Sequence, residues 1–139
     1  MSVPITLFVD RSLGRSEVPN ALRAAGWSVE AHDDHFPQDA EDVAWLPAVS
    51  ARCWIVLTKD GRIRRNHLEV QALINSGAAV FILTAAGLRG EDMARILVHA
   101  MSAVSRTVAT RARPFIATIS GDGRISVVKG GERKGGVKR

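Results

Sequence analysis

The stretch Trp54-Ile55-Val56-Leu57-Thr58-Lys59-Asp60 constrains this chain more than any other part of it. Four apolar residues, two of them β-branched, run into Thr-Lys-Asp and then into Gly61. Such a run reads as a strand buried on both faces that delivers one carboxylate at its C-terminal end, where a turn begins. A second stretch repeats the pattern: Ile5-Thr6-Leu7-Phe8-Val9-Asp10, followed by Arg11-Ser12 and then Gly14. Open parallel sheets bind ligands outside the carboxyl ends of their strands. Two strands that each end in Asp would therefore bring two carboxylates together there.

The rest of the chain alternates between helical and extended patterns. Ser16 is placed to cap a helix over Glu17–Ala25, with Pro19 in its first turn and Gly26 as its stop. Trp27–Ala31 reads as a short strand, and His32–Asp39 as a polar loop ending in a cap for a helix from Ala40. Pro47 shortens or kinks that helix. Cys53–Leu57 is the next strand, His67–Ile74 a helix and Ala78–Thr84 another buried strand. The longest helix opens at Gly90 or Glu91 and runs to about Thr110. Its stripe of Met93, Ile96, Leu97, Ala100, Met101 and Val104 suits either a core face or a dimer face. Strands Pro114–Ile119 and Arg124–Val128 flank Gly121-Asp122-Gly123, a hairpin signal. The alternation predicts an α/β/α sandwich around a central, mainly parallel sheet of four to five strands, with a C-terminal β-hairpin.

A chain of 139 residues suits one domain. No apolar run approaches the roughly 20 residues of a membrane helix, and the N-terminus carries no export pattern. The lone Cys53 is expected to be a buried thiol in a reducing compartment, which places the protein in the cytoplasm. The net charge of +5 is concentrated at one end. Residues 129–139 carry Lys129, Arg133, Lys134, Lys138 and Arg139 against Glu132, which leaves a net of only +1 for the remainder. The expected division is a domain over 1–128 and a Gly-rich, basic, disordered tail over 129–139. Such a tail either attracts phosphates without sequence preference or only solubilises the chain.

Glu30, Asp33, Asp34, Asp39, Glu41, Asp42 and Asp60, together with Asp10, crowd the regions assigned to the carboxyl ends of the strands. Carboxylates brought into one cleft repel one another unless a divalent cation neutralises them, and hard oxygen ligands suit Mg²⁺ or Mn²⁺. The alternative for most of these acids is a helix cap or a solvated surface. Asp10 and Asp60 resist that alternative best because each follows a strand directly.

The segments Leu7–Gly14, Val18–Gly26, Val29–Phe36, Asp42–Leu46 and Ile55–Arg64, in this order and spacing, resemble the PIN-like domain family. The likeness is to its compact branch, which includes the VapC-type toxins of bacterial toxin–antitoxin pairs. It extends over roughly residues 5 to 120 and implies a PIN-like fold and a metal-dependent ribonuclease. Asp10, Asp42 and Asp60 match the family's acids and would be both catalytic and metal-binding. The fourth acid of the larger PIN nucleases has no clear match. Thr84-Ala85 stands where it would fall, and Glu91 and Asp92 come later. Asp34, Glu41, Thr58 and Asp92 are candidates for supporting the metal ligands or a second ion. The resemblance also implies an RNA substrate and an antitoxin protein that covers the cleft.

Arg11, Arg15, Lys59, Arg62, Arg64 and Arg65 follow the two acid-bearing strands and would form a basic collar for RNA phosphates if their loops share a rim. Otherwise they are scattered, solvated charges. His32 and His35 match no closed zinc spacing. Trp27, Trp45 and Trp54 fit a core better than a base-stacking platform. Because the fourth acid is missing, a catalytically weak PIN-like binding module stands as the alternative to the enzyme.

Overall fold

The computed structural model describes residues 5–14, 16–37, 42–61 and 67–133, with the backbone alone at 42–46, 67 and 69. Along the chain, β1 (Thr6–Val9) leads through a 3-10 turn (Arg11–Leu13) into α1 (Glu17–Ala24). Then come β2 (Ser28–Ala31), a second 3-10 turn (His32–Asp34), α2 (Asp42–Ala51) and β3 (Ile55–Thr58). The chain closes with α3 (His67–Ser76), β4 (Ala79–Leu83), α4 (Gly90–Thr110), β5 (Phe115–Ile119) and β6 (Ile125–Gly130).

The strands form one six-stranded sheet in the order β2-β1-β3-β4-β5-β6. Every neighbouring pair is parallel except β5 and β6. The expected hairpin is therefore part of the main sheet. After α4 the chain returns as a parallel strand beside β4, and the Gly121-Asp122-Gly123 turn folds β6 onto the outer edge. In that turn Asp122 accepts from the Ser120 hydroxyl and the Arg124 N–H, which hold its carboxyl below the usual range.

Alternate residues of each buried strand serve opposite layers, which is why these runs are continuously apolar. On one face Leu7, Val9, Ile55, Leu57 and Phe81 pack with Val18 and Leu22 of α1 and with Leu97, Met101 and Val104 of α4. On the other, Phe8, Val56, Val80, Ile82 and Ile116 pack with Val49 of α2 and Leu73 of α3. The result is the expected α/β/α sandwich. The stripe on α4 is spent on the core, since Met93, Ala94, Leu97, Ala100, Met101 and Val104 are all buried there.

Several local expectations change. The Ser16 side chain makes no capping bond, while Gly26 ends α1 at φ +97° as its role requires. Asp39, the expected cap of α2, lies outside the described residues, and that helix runs unbroken past Pro47 to Ala51. Cys53 is exposed rather than buried: β3 begins only at Ile55, so Cys53 occupies the preceding turn at φ +60°. The expected domain limit at 128 falls inside β6, which continues to Gly130. Beyond it the Ala112 N–H donates to the Glu132 carbonyl (2.7 Å), and the backbones of Arg111 and Arg133 form an isolated antiparallel β-bridge. The tail residues 134–139 lie outside the described residues.

Phe81 is fully buried in the centre of the sheet, edge-on to Phe115 with ring centroids 5.5 Å apart. Phe81→Ala is expected to cost about 3–5 kcal/mol, read as a lower urea midpoint with an unchanged slope.

Candidate functional site

The sheet order places a topological switch point between β1 and β3. From β1 the chain crosses to β2 on one side, whereas β3 pairs with β1 on the other. Connections leave such a point in opposite directions and open a crevice at the carboxyl ends. The register aligns Val9 with Leu57, and the Asp10 N–H extends the ladder by donating to the Leu57 carbonyl at 2.9 Å. Asp10 and Thr58 therefore stand side by side by strand pairing alone, and Lys59 and Asp60 follow past the end of the ladder.

Asp10 is only 4% exposed, which would be costly for a carboxylate without partners. Its Oδ2 accepts the Ser12 hydroxyl at 2.7 Å, the Thr58 hydroxyl at 2.7 Å and the Ser12 N–H at 3.4 Å. Among the described residues these bonds all fall on Oδ2 and none on Oδ1. Asp10 also caps the 3-10 turn Arg11–Leu13, where its carbonyl accepts from Leu13 N–H at 3.0 Å. The hydroxyls of Ser12 and Thr58 lie 3.0 Å apart. Ser12 Oγ accepts the Lys59 N–H at 3.0 Å, and Thr58 Oγ1 accepts the Asp60 N–H at 3.0 Å. Thr58 is fully buried, and Asp60 is half-buried at the start of the turn that follows.

Ser12 is the residue that sequence reasoning passed over. An Asp with a Ser two positions on is a local turn signature that could have marked it. Its bonds to Thr58 and Lys59, however, arise only once β1 and β3 pair.

The remaining expected site residues divide by position. Arg11 and Lys59 are exposed and flank the Asp10–Thr58 pair directly. Asp34 is exposed at the end of the 3-10 turn after β2, the neighbour of β1. Asp42 is the first residue of α2, and its side chain lies outside the described residues, as do Arg15, Glu41, Arg62, Arg64 and Arg65. Asp92 lies in the first turn of α4, where its carboxylate pairs with Arg95 at 2.5 Å. That helix start abuts the start of α1: a Cβ added at Gly90 would lie 2.9 Å from Glu17 Oε1. The two histidines are engaged separately. Buried His32 bonds Asp33 at 3.3 Å and packs against Phe8 and Phe36. His35 meets Glu30 at 2.7 Å and tilts over Trp54.

Among the described residues no group of three or more His, Cys, Asp or Glu side chains converges on a metal position. A divalent cation of the Mg²⁺ kind nevertheless needs only one or two carboxylates, with waters and substrate oxygens completing its shell. Asp10, with hard oxygen donors, a fixed orientation and no described bond on Oδ1, suits such an ion, and Asp60 follows the neighbouring strand β3, its N–H bonded to the same Thr58 hydroxyl that holds Asp10.

The class defined here is an α/β protein with a doubly wound sheet and a buried, hydroxyl-clamped carboxylate at the β1–β3 switch point. A family model described as "PIN like domain" matches residues 5–85, the span from β1 through β4. A Mycobacterium tuberculosis protein named "Putative ribonuclease VapC45" is 36% identical over 118 residues, which cover 81% of this chain and 84% of that one. The chain belongs to the PIN-like domain family. No solved structure gives a significant match.

Replacing Thr58 by Val removes the hydroxyl and keeps the shape, leaving the buried carboxylate one donor short. Thr58→Val is expected to destabilise the fold by about 1–3 kcal/mol, whereas Thr58→Ser retains most of the stability. Equal denaturation midpoints for the two variants would rule out the hydroxyl as the stabilising group.

Proposed function

We propose that this chain is a ribonuclease that hydrolyses RNA phosphodiester bonds with Mg²⁺ or Mn²⁺, and that it is the toxin of a type II toxin–antitoxin pair. The observation that carries the reading is the clamped Asp10 carboxylate at the β1–β3 switch point, beside the Asp60 strand end. Its support from relatives is membership of the PIN-like family and the name of the mycobacterial protein.

In this reading Asp10, Asp42 and Asp60 hold the cation. When bound, it supplies Lewis acidity toward the phosphate and a water of lowered pKa for attack on phosphorus. The chain's own part is orientation. Thr58 and Ser12 fix the Asp10 carboxylate, so that little reorganisation is needed when charge develops on the phosphate. Arg11 and Lys59 border the crevice, where they would hold phosphates flanking the scissile bond. Arg15, Arg62, Arg64 and Arg65 would extend the same basic rim, and Asp34, Glu41 and Asp92 would serve around the ligands or a second ion. A protein antitoxin would act by occupying this crevice in the cytoplasm. A homodimer of this chain would require a surface other than the α4 stripe, which is core here. No described helix is long and apolar enough to cross a membrane.

A second reading, a binding module with weak or no catalysis, rests on one observation. The positions after β4 carry no acid: Thr84 directs its hydroxyl to the Ile119 carbonyl at 3.3 Å, and Ala85 follows. A third, phosphate attraction through the basic C-terminus alone, predicts that removing residues 134–139, which carry Lys134, Lys138 and Arg139, abolishes RNA binding.

The enzyme reading predicts degradation of single-stranded RNA in Mn²⁺ that stops on addition of EDTA. Asp10→Asn and Asp60→Asn should each lower the rate by more than about 100-fold while retaining RNA binding. Variants that cleave as fast as the parent would overturn the assigned ligands, and a parent that binds RNA without cleaving it would favour the binding module.

A further inference from the structure

Two hydroxyls occupy equivalent stations around Asp10. Ser12 Oγ donates to Oδ2 at 2.7 Å and accepts the Lys59 N–H at 3.0 Å. Thr58 Oγ1 donates to the same Oδ2 at 2.7 Å and accepts the Asp60 N–H at 3.0 Å. A hydroxyl has one proton, and each spends it on the carboxylate. The 3.0 Å contact between the two oxygens therefore closes the cluster without a proton of its own. Thr58 belongs to β3 and would be held there by the ladder in any case. Ser12 does not. It sits in the turn after β1, 47 residues from Lys59, and its hydroxyl is the described side-chain tie between that turn and the backbone leading to Asp60.

A cation shared by carboxylates on two strands requires their separation to hold within about 0.5 Å. Strand pairing fixes Asp10 and Thr58, but Lys59 and Asp60 lie past the end of the ladder. We propose that Ser12 is a positioning residue for the metal site. Its hydroxyl locks Asp10 Oδ2 and the Lys59 backbone into one unit, so that a divalent cation meets Asp10 through Oδ1 with Asp60 held at a fixed offset. The role rests on the Asp10–Asp60 site assigned above and adds to it a residue that is not itself a ligand. The carboxylate is thereby divided, one oxygen serving the fold and the other serving the ion.

The test is calorimetric titration of the full chain with MnCl₂, alongside thermal melting in EDTA. Ser12→Ala should weaken Mn²⁺ binding by about 10- to 100-fold, and Ser12→Thr, which keeps a hydroxyl, should restore it. A merely structural Ser12 would lower the melting temperature in EDTA and leave Mn²⁺ affinity at the parent value, and that result overturns the proposal. If Ser12→Ala does not fold, Ser12→Cys, of similar shape but a weak donor, carries the same comparison. A parent that fails to bind Mn²⁺ sinks the metal site itself. A parent that binds while Ser12→Ala binds equally well sinks only the role of Ser12.

Discussion

A carboxylate at the end of a buried strand has to be satisfied by its neighbours, and at Asp10 that requirement organises this edge of the molecule. Water reaches only a small part of the side chain, so donors must come from protein: the Thr58 hydroxyl from β3, which the β1–β3 pairing fixes, and the Ser12 hydroxyl from the turn after β1. A register slip of one residue would turn Leu57 and Val56 to the wrong layers and would also remove Thr58 from Asp10. Core packing and site assembly thus depend on the same alignment. The two hydrophobic layers, by enforcing the register, place Asp10 beside Thr58.

The sheet order adds a second constraint. Because β2 lies on one side of β1 and β3 on the other, the switch point of the sheet falls between β1 and β3, where the loops after these strands begin. The same loops carry Arg11 and Lys59. Cations beside a crevice with buried acids have opposite uses: they offset the repulsion among carboxylates, and they attract a polyanion toward a centre that would otherwise repel it. A metal ion bound as proposed would resolve the conflict locally, since it would neutralise the acids and leave the rim free to meet phosphate.

Much of this was legible in the sequence, and the reasons differ by element. The strand ends before Asp10 and Asp60 showed because a buried parallel strand writes itself as an unbroken apolar run, and the change to polar residues marks where it stops. The α4 helix showed because its stripe has helical period over 21 residues. The acids between 30 and 42 were misleading when taken as a crowd. Glu30 is engaged with His35 and Asp33 with His32, pairings set by local turns rather than by a common cleft. Cys53 misled because an apolar run was extended two residues too far into a turn. The extension of β6 past 128 was hidden by glycines that read as linker, although Gly131 in fact approaches the β5 start to donate to the Pro114 carbonyl at 3.2 Å.

Ser12 illustrates the harder limit. Nothing in Asp-Arg-Ser distinguishes a solvated turn serine from one that bonds across two strands, because the difference lies in contacts 46 and 47 residues away. Residues whose work is to hold others in place leave little local signal: they need only a small polar group at one point in space, and many sequences supply one. An acid, by contrast, is conspicuous wherever burial makes it expensive. The site therefore reveals its acids through their cost and conceals its supports through their cheapness, and the supports become visible only when the hydrogen bonds of the costly group are followed outward.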